Sequence, residues 1–399
     1  MQRIAVYEPT VGSGELANLG EALAANELIR GRFADRFEAQ IAGYVGTRFG
    51  VGTNSGTAAI HTALMIAGVS AGDEVLITTL TFIAPANAIA YCGARPVFVD
   101  VVERDWQMDP EATRRFCEDE CRFDGERLVN RTTGRPVTAI VLVHFLGMPA
   151  DVEAFQALAR RYNLTLIEDA AQALGTRFGP RMVGSFGRIG CYSFYGNKLI
   201  TAGGGGMLVT DDPELARRAR YLVNQAKDDP VETLHREIGY NYRMTNIHGA
   251  IGCAQFERID HHVARKRQLT ARYRKGLSSQ PGVTLPEEPA DQFWTFWLTC
   301  IRIDPDLFGL DARQLLGRLA EQGVETLPLY QPLHLSEAHA GSGRVGGRVA
   351  ESLHAQTLIL PSSISLGEAD QDRVIALIVE AGRRARARAG EGAEAALTP

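Results

Sequence analysis

Lysine is scarce in this chain of 399 residues, where it occurs only at positions 198, 227, 266 and 275. Every other basic side chain apart from histidine is arginine, so the chain uses arginine wherever positive charge alone is needed. Lys198 nevertheless lies in an apolar, glycine-flanked turn, SFYGNKLITAGGGGMLV (193–209). An amine, unlike a guanidinium, readily loses a proton and forms an imine. The position of Lys198 therefore suggests amine chemistry.

Several features that would define other classes of protein are missing. The six cysteines lack the paired spacing of a zinc site, so we expect reduced thiols and no metal. A net charge of −5 gives no reason to expect nucleic acid as a partner. No long uncharged apolar run and no signal-peptide pattern at the start are present, which predicts a cytoplasmic protein without membrane association. No G-x-G-x-x-G or G-x-x-x-x-G-K-[ST] motif supports a nicotinamide dehydrogenase or a phosphate-loop protein.

Strand-like and helical runs alternate from about residue 57 to 210, which predicts an α/β domain around a largely parallel sheet. The polar segment 117–137 is predicted to be an exposed insertion between a helix and a strand. The predicted strands are 74–79, 96–101, 138–143, 164–169, 190–195 and 206–210, and the predicted helices are 57–68, 83–93 and 152–162.

The C-terminal part follows a different pattern. Residues 245–277 form one long helical pattern, and a smaller α+β unit follows, with a strand at 293–303 and a helix at 312–323. We therefore expect a large domain over 1–250 and a connector helix with a small domain over 251–385. A low-complexity tail over 386–399 is predicted to be disordered.

Three stretches fall where an open α/β sheet binds ligands, beyond the carboxyl ends of its strands. In TNSGTAAIHTAL (53–64), Gly56 and Thr57 open a helix and offer N–H groups to a phosphate, although Ser-Gly-Thr is also an ordinary helix cap. In LTLIEDAAQALG (164–175), Asp169 either caps the next helix or faces a buried cationic ring nitrogen, with Gln172 one turn away. Lys198 is either a solvated turn lysine or an imine-forming amine.

Together, a phosphate seat, a carboxylate for a pyridinium nitrogen and a lysine for an imine match the requirements of pyridoxal phosphate. The carboxylate would keep the ring protonated, so that the ring draws electrons from the α-carbon of an amino substrate. The lysine would first hold the cofactor and then move a proton between that carbon and the cofactor. The ordered set of features supports this interpretation more strongly than any one motif does.

The sequence resembles the pyridoxal-phosphate sugar aminotransferases of the DegT/DnrJ/EryC1/StrS type. The resemblance runs in order from about residue 10 to 335. It is carried by NSGTAAIHTAL, GDEVLITTLTFIAPANAIAYCGARPVFVDV, HFLGMPAD, IEDAAQALGT, SFGRIGCYSFYGNKLITAGGGGML and GYNYRMTNIHGAIG. It implies the aspartate-aminotransferase fold (fold type I), with a mixed seven-stranded sheet and a smaller C-terminal α+β domain. It also implies a homodimer with shared active sites.

The resemblance also implies roles for individual residues. Lys198 would form the imine with the cofactor, Asp169 would pair with the pyridine nitrogen, and Gln172 would lie near the phenolic oxygen. Other residues would surround the cofactor and the substrate: Gly56, Thr57 and Ser193 at the phosphate, Phe82 against the ring face, Asn241 at the phosphate of the neighbouring subunit's cofactor, and His144 and His334 beside the substrate, unless these histidines only pack or form turns.

The expected reaction transfers an amino group from L-glutamate to the keto carbon, C4, of a nucleotide-linked 4-keto-6-deoxy sugar. The insertion at 117–137 is similar to the branch acting in legionaminic-acid pathways, whose sugar is an N-acetylhexosamine. Gly204 stands where many relatives have glutamate, and ANELIRGRF departs from their usual N-terminal pattern, which bears on the identity of the sugar. Two alternatives stay open: an aminotransferase for another cyclic ketone such as a keto-inositol, and a non-catalytic binding or regulatory protein with this fold.

Overall fold

The computed structural model describes residues 3–228, 231–232 and 234–395, with the side chains of 388–395 left aside. Its strands, in chain order, are β1 (Phe49–Thr53), β2 (Glu74–Thr78), β3 (Arg95–Val99), β4 (Cys121–Phe123), β5 (Leu128–Asn130), β6 (Pro136–Val143), β7 (Thr165–Asp169), β8 (Arg177–Phe178), β9 (Arg181–Met182), β10 (Ile189–Ser193), β11 (Gly206–Thr210), β12 (Val283–Thr284), β13 (Gln292–Phe293), β14 (Cys300–Ile303), β15 (Leu327–Pro328), β16 (Gly343–Val345) and β17 (Thr357–Ile359).

The α-helices flank these strands and connect them. They are α1 (Ser13–Ala24), α2 (Arg32–Val45), α3 (Gly56–Ile66), α4 (Ala84–Tyr91), α5 (Pro110–Arg115), α6 (Val152–Tyr162), α7 (Pro213–Leu222), α8 (Asn246–Phe256), α9 (Ile259–Leu277), α10 (Pro305–Phe308), α11 (Ala312–Glu321), α12 (Arg348–Gln356) and α13 (Glu368–Ala395). Among the residues described, no helix is both long and apolar enough to cross a membrane.

The central sheet has the order β1-β11-β10-β7-β6-β2-β3. Strands β10, β7, β6, β2 and β3 run parallel, whereas β11 is antiparallel to both β1 and β10. This arrangement confirms the predicted mixed seven-stranded sheet. Strand β16 adds to its β3 edge, and the β4–β5 hairpin adds to β6, so the described sheet has ten strands. The carboxyl ends of β2, β6, β7 and β10 meet at one edge, where a ligand site is expected.

Helix α6 shows how local sequence sets the bounds of these elements. The Asp151 side chain accepts the N–H of Ala154 at the start, and Asn163 ends the helix in the left-handed conformation. Residues at three- and four-residue spacing face the core, which is the amphipathic pattern that predicted this helix. The buried positions are Val152, Phe155, Leu158, Ala159 and Tyr162.

The C-terminal unit is a four-stranded sheet of order β12-β14-β17-β15, packed against α9, α11 and α13. The predicted single strand at 293–303 is wrong. Two short strands, β13 and β14, are separated by Phe296, whose φ of 49° is incompatible with a strand. The segment between them enters the central core, where Trp294 and Trp297 are buried.

Three other predictions differ from the structure. The 117–137 insertion is not simply exposed, because Cys117, Cys121 and Leu128 are buried and its hairpin pairs with β6. The long helix over 245–277 divides at Arg258, whose φ of −111° and ψ of 11° are not helical. Helix α13 continues through 386–395, within the predicted disordered tail, because alanine, arginine and glutamate favour helix. Residues 396–399 of that tail lie outside the described residues.

Candidate active site

The first part of the site is the start of α3. The Ser55 hydroxyl caps the helix by accepting the N–H of Ala58 at 3.1 Å, and the first backbone bond of the helix joins Ala59 N–H to the Ser55 carbonyl. The N–H groups of Gly56 and Thr57 therefore precede the intrahelical ladder and are available to a ligand. Because these N–H groups also lie at the positive end of the helix dipole, they favour an anion such as phosphate.

Ser193, at the end of β10, lies directly against this helix start. A Cβ built on Gly56 would be 2.7 Å from the Ser193 Cβ and 3.1 Å from its Oγ. Glycine is therefore required at position 56 for the Ser193 hydroxyl to reach the helix N-terminus. The structure brings Gly56, Thr57 and Ser193 together in one anion-binding corner.

We expect Gly56→Ala to weaken cofactor binding by about tenfold or more, because the added methyl group must push the Ser193 side chain or the helix start aside. The measurement is a pyridoxal-phosphate titration, together with thermal unfolding of the cofactor-free protein. Gly317→Ala in α11 is the matched control, since its Cβ would meet nothing within 4 Å. That substitution should leave binding unchanged and stabilise the helix by up to about 1 kcal/mol. Equal affinities for both variants would contradict the proposed corner.

Asp169 ends β7, in parallel register with Cys191 of β10 and Val143 of β6. Its side chain is buried, and its Oδ1 accepts the N–H of Ala171 at 3.0 Å. Burial raises the pKa of this carboxyl, while the Ala171 N–H and the positive charge of Lys198 act in the opposite direction. A buried carboxylate is costly unless a cation compensates it, so this position favours a ligand with a cationic atom.

Lys198 lies in the connection between β10 and β11. Burial lowers the pKa of its amine to about 8, although the charge of Asp169 opposes that shift. The backbone N–H of Lys198 donates to the Tyr195 carbonyl, which closes the turn. A buried amine with a lowered pKa is a better nucleophile and proton acceptor at neutral pH than a solvated lysine. A fully solvated turn lysine does not fit this position, which is only partly exposed.

Trp297 is a member of this site that the sequence analysis missed. Its indole ring lies under the Lys198 amine, with Nζ 4.1 Å from a ring centroid. The indole comes from the segment between β13 and β14, about a hundred residues further along the chain. The pattern FWTFWLTCIRI was interpreted as a strand, and nothing in its periodicity links it to Lys198.

Gln172 and Phe82 approach from two other strand ends. The Gln172 Oε1 accepts the N–H of Leu146 at 2.8 Å, which ties the turn after β7 to the turn after β6.

Phe82, after β2, is 54% exposed, and its ring centroid lies 6.0 Å from that of Tyr330. Tyr330 in turn contacts Phe145, which places Phe82 beside the same edge of the sheet. An exposed aromatic ring at this position is suited to cover a flat ligand.

Asn241 lies on the outer side of the α3 corner. Its side chain is exposed, and its carbonyl accepts a hydrogen bond from the Asn54 side chain at 3.0 Å. Asn54 immediately precedes the Ser55 cap. The Asn241 side chain is therefore exposed beside the α3 corner of the same chain and can face another molecule.

The comparisons with known proteins agree with this geometry. The model of the DegT/DnrJ/EryC1/StrS aminotransferase family matches residues 9–379. The chain belongs to that family. EpsN of Bacillus subtilis, named as a pyridoxal phosphate-dependent aminotransferase, is 36% identical over 383 residues, or 95% of both chains. GDP-perosamine synthase of Caulobacter vibrioides is 35% identical over 380 residues, or 95% of this chain and 98% of that one.

Among solved structures, S. venezuelae DesV in complex with a ketimine intermediate superposes with a TM-score of 0.82 at 32% identity, covering 92% of this chain and 94% of that one. These matches confirm the fold predicted for the DegT/DnrJ/EryC1/StrS resemblance. The protein is an aminotransferase of this family, and pyridoxal phosphate is its cofactor. The residues present fit that cofactor, because the α3 corner suits a phosphate and the buried Asp169 suits a protonated ring nitrogen.

Two residues that the resemblance placed beside the substrate lie elsewhere in this aminotransferase. His144 is fully buried, with the Ala150 N–H donating to its Nδ1 at 3.1 Å. The ring proton is therefore on Nε2, which donates to the Glu168 carboxylate at 2.8 Å. Glu168 also accepts the N–H groups of Gly184, Phe186 and Gly187. Both nitrogens of His144 are occupied, so the prediction of a substrate contact is corrected to a core role beneath Asp169.

The His334 side chain is also buried, with 2% of its surface exposed. Its Nδ1 is 2.7 Å from the Thr79 hydroxyl, and its Nε2 is 3.0 Å from the Glu351 carboxylate. These contacts join the loop after β2 to α12 and leave no ring nitrogen for a sugar. The structure therefore corrects the substrate role of His334 to a structural one.

Proposed function

We propose that this aminotransferase transfers the amino group of L-glutamate to C4 of a nucleotide-linked 4-keto-6-deoxy sugar. The specific sugar that we propose is the N-acetylhexosamine of legionaminic-acid-type pathways. The observation that carries the proposal is that Lys198, only partly exposed and with its amine over the Trp297 ring, shares one edge of the sheet with the buried Asp169 carboxylate and the α3 corner. A non-catalytic binding protein has no need of a buried amine with a lowered pKa.

Each residue of the site has a definite part in holding the cofactor. When bound, pyridoxal phosphate supplies an aldehyde carbon that carries the amino group and a ring that withdraws electrons from the substrate. The N–H groups of Gly56 and Thr57 and the Ser193 hydroxyl bind the phosphate. Asp169 keeps the ring nitrogen protonated, because its own charge is poorly solvated and gains from a cationic partner. Gln172 would lie near the phenolic oxygen of the ring, and Phe82 would cover the ring face.

With the cofactor bound, Lys198 would be the residue that holds it covalently, and its amine would be free to carry a proton once an amino substrate is bound. The released amine then removes a proton from the substrate α-carbon and delivers it to the adjacent cofactor carbon, C4′. The same amine runs the reverse transfer for the keto sugar. Its lowered pKa places both protonation states within reach near neutral pH, as a group that takes and gives a proton requires.

The acceptor is inferred from the similarity to known enzymes and from where the insertion lies. The similarity to GDP-perosamine synthase supports a nucleotide-linked sugar as the acceptor. The insertion that resembles the legionaminic-acid branch pairs, through Leu128, with Val137 at the amino-terminal end of β6, opposite the active site. The sugar must therefore be recognised by other residues. Gly204 is one candidate position. A Cβ built on Gly204 would be 3.3 Å from the His248 Nε2, so a side chain at position 204 would contact His248, and glycine leaves that space open.

We also propose a cytoplasmic homodimer with shared active sites, in which Asn241 contacts the cofactor phosphate of the neighbouring subunit. The exposed side chain of Asn241 beside the α3 corner supports this arrangement. Large apolar side chains on the N-terminal segment and near Asn241 also need a covering surface. The most exposed of these are Val11, Leu16, Leu23, Ile29 and Ile238.

The decisive experiment supplies the protein with L-glutamate and a panel of ketones: nucleotide-linked hexoses with the keto group at C4 or C3, and a keto-inositol. Release of 2-oxoglutarate and the mass of the aminated product are measured. We expect both with the 4-keto-6-deoxy-N-acetylhexosamine and little with the inositol. Product from the keto-inositol alone would establish the cyclic-ketone alternative. No release of 2-oxoglutarate with any acceptor would overturn the assigned reaction.

A further inference from the structure

Trp297 is held in place from several directions. Its indole N–H donates to the Asn197 carbonyl at 2.7 Å, and Asn197 is the residue immediately before Lys198. Its backbone N–H donates to the Leu146 carbonyl at 3.0 Å. Only 1% of its surface is exposed. The ring therefore has one fixed orientation, and in that orientation its face is directed at the Lys198 amine.

Lys266 of α9 holds the backbone of the same tryptophan. Its amine donates to the Trp297 carbonyl at 2.8 Å and to the Ser362 carbonyl at 2.6 Å. The side chain is buried, and burial lowers the pKa of its amine to about 7. A buried amine bonded to carbonyl oxygens is costly to maintain. Its two bonds join the connector helix, the segment of Trp297 and the segment after β17.

We propose that Trp297 and Lys266 are positioning residues: Trp297 holds the free Lys198 amine over its indole face, beside Asp169, and Lys266 fixes the tryptophan that does so. The inference rests on the proposed role of Lys198 as the mobile proton carrier. A lysine has four rotatable bonds, so an amine released from the cofactor needs a defined place to occupy. An aromatic face within about 6 Å of the amine provides one, because the ring attracts a cation.

The effect on the protonation of Lys198 follows from the groups that face it. Burial disfavours the charged amine, whereas Asp169 and the indole face favour it. Lys198 also lines a small polar cavity whose other titratable groups are Tyr7, Glu8, His262 and Lys266. Removal of the indole leaves burial opposed by Asp169 alone. The Lys198 pKa should therefore be lower in Trp297→Leu than in the native protein.

The first test uses the cofactor-free protein and does not depend on turnover. Acetylation by limiting acetic anhydride is followed by mass spectrometry over a range of pH, and the four lysines give separate peptides. Trp294→Leu is the matched control, because Trp294 is also fully buried but its indole N–H bonds to Gln292. The Lys198 titration should shift in Trp297→Leu and not in Trp294→Leu. Equal titrations in the two variants would overturn the role of Trp297.

Trp297→Phe provides a second variant in case the leucine variant does not fold. Phenylalanine keeps an aromatic face but loses the bond to Asn197, so its Lys198 titration should fall between those of the native protein and Trp297→Leu. A titration for Trp297→Phe equal to that of the native protein would show that the Asn197 bond has no part in holding the ring.

The role of Lys266 is tested by a double-mutant cycle on kcat. Lys266→Met should lower kcat by about threefold to tenfold in the native background and have no further effect in Trp297→Leu. Independent, multiplying effects would show that Lys266 does not act through Trp297. If Lys198 itself proves dispensable for turnover, the proposed function fails, but the acetylation experiment still decides whether Trp297 holds the amine.

Discussion

Replacement of Lys198 by alanine should lower the rate of amino transfer by about 10⁴-fold or more while the protein still folds. We propose two tasks for the side chain, the covalent hold on the cofactor and the proton transfer, and the latter alone is worth about 10² to 10⁴ in rate. Lys266 and Lys275 are not placed to take over, because Lys266 is engaged with two carbonyl oxygens and Lys275 is exposed on α9. The measurement is single-turnover release of 2-oxoglutarate at saturating cofactor.

Lys275→Ala is the matched control for this experiment. It removes an equal charge from an exposed position of the connector helix and should leave the rate within about twofold of the native value. Comparable rates for Lys198→Ala and Lys275→Ala would remove Lys198 from the mechanism. Thermal unfolding of both variants without cofactor separates a loss of chemistry from a loss of fold.

Asp169→Asn should cause the second largest effect, a fall in kcat of about 100-fold or more. The substitution keeps the shape of the side chain but removes the charge that would keep the ring nitrogen protonated. Loss of one partner from a buried ion pair costs about 3 kcal/mol or more, which corresponds to that rate factor. In the cofactor-free protein we expect no loss, and the quantity measured there is thermal stability. Because burial raises the pKa of this carboxyl, the neutral amide should be tolerated or should raise the melting temperature.

Opposite responses in the cofactor-free and the loaded protein distinguish this role from a structural one. Asp212→Asn is a suitable control, since Asp212 is a half-buried helix cap of α7 and far from the sheet edge in question. Because asparagine caps helices about as well as aspartate, the substitution should change stability little and leave kcat unchanged. A destabilised cofactor-free Asp169→Asn variant with native kcat would identify Asp169 as a cap of the following turn instead.

The local sequence pattern was sufficient to predict those strands and helices whose bounds are set by neighbouring residues in the chain. The strand at 206–210 and the helix at 152–162 were predicted with the bounds that the structure has, since the strand is a short, fully buried apolar run and the helix has an amphipathic pattern. The strand at 293–303 failed because Phe296 adopts a left-handed backbone, and an aromatic residue carries no local signal for that conformation. The packing of Trp294 and Trp297 into the central core decides that bend.

The candidate site likewise contains some residues that the sequence predicted and others that it misplaced or missed. Gly56, Thr57, Asp169 and Lys198 were identified because their stretches fall beyond the carboxyl ends of strands in one sheet, where ligands bind, and Ser193 was implied by the family resemblance. Their individual roles remain predictions. His144 and His334 were misplaced because a histidine near a loop says nothing about whether its ring nitrogens are already bonded, as those of both residues are. Trp297 was missed because its contact with Lys198 spans two units of the chain.

Strand β16 has a consequence for how the protein opens to its substrates. It belongs to the C-terminal unit in sequence, yet Gly343–Val345 pairs in parallel with Val97–Val99 of β3. The Asp100 carboxylate then accepts the N–H groups of Gly347, Val349 and Ala350 at the start of α12. A hinge rotation of the C-terminal unit would have to break this ladder and uncap this helix. We therefore expect substrate entry to involve exposed side chains such as Phe82 and not a hinge rotation of the C-terminal unit.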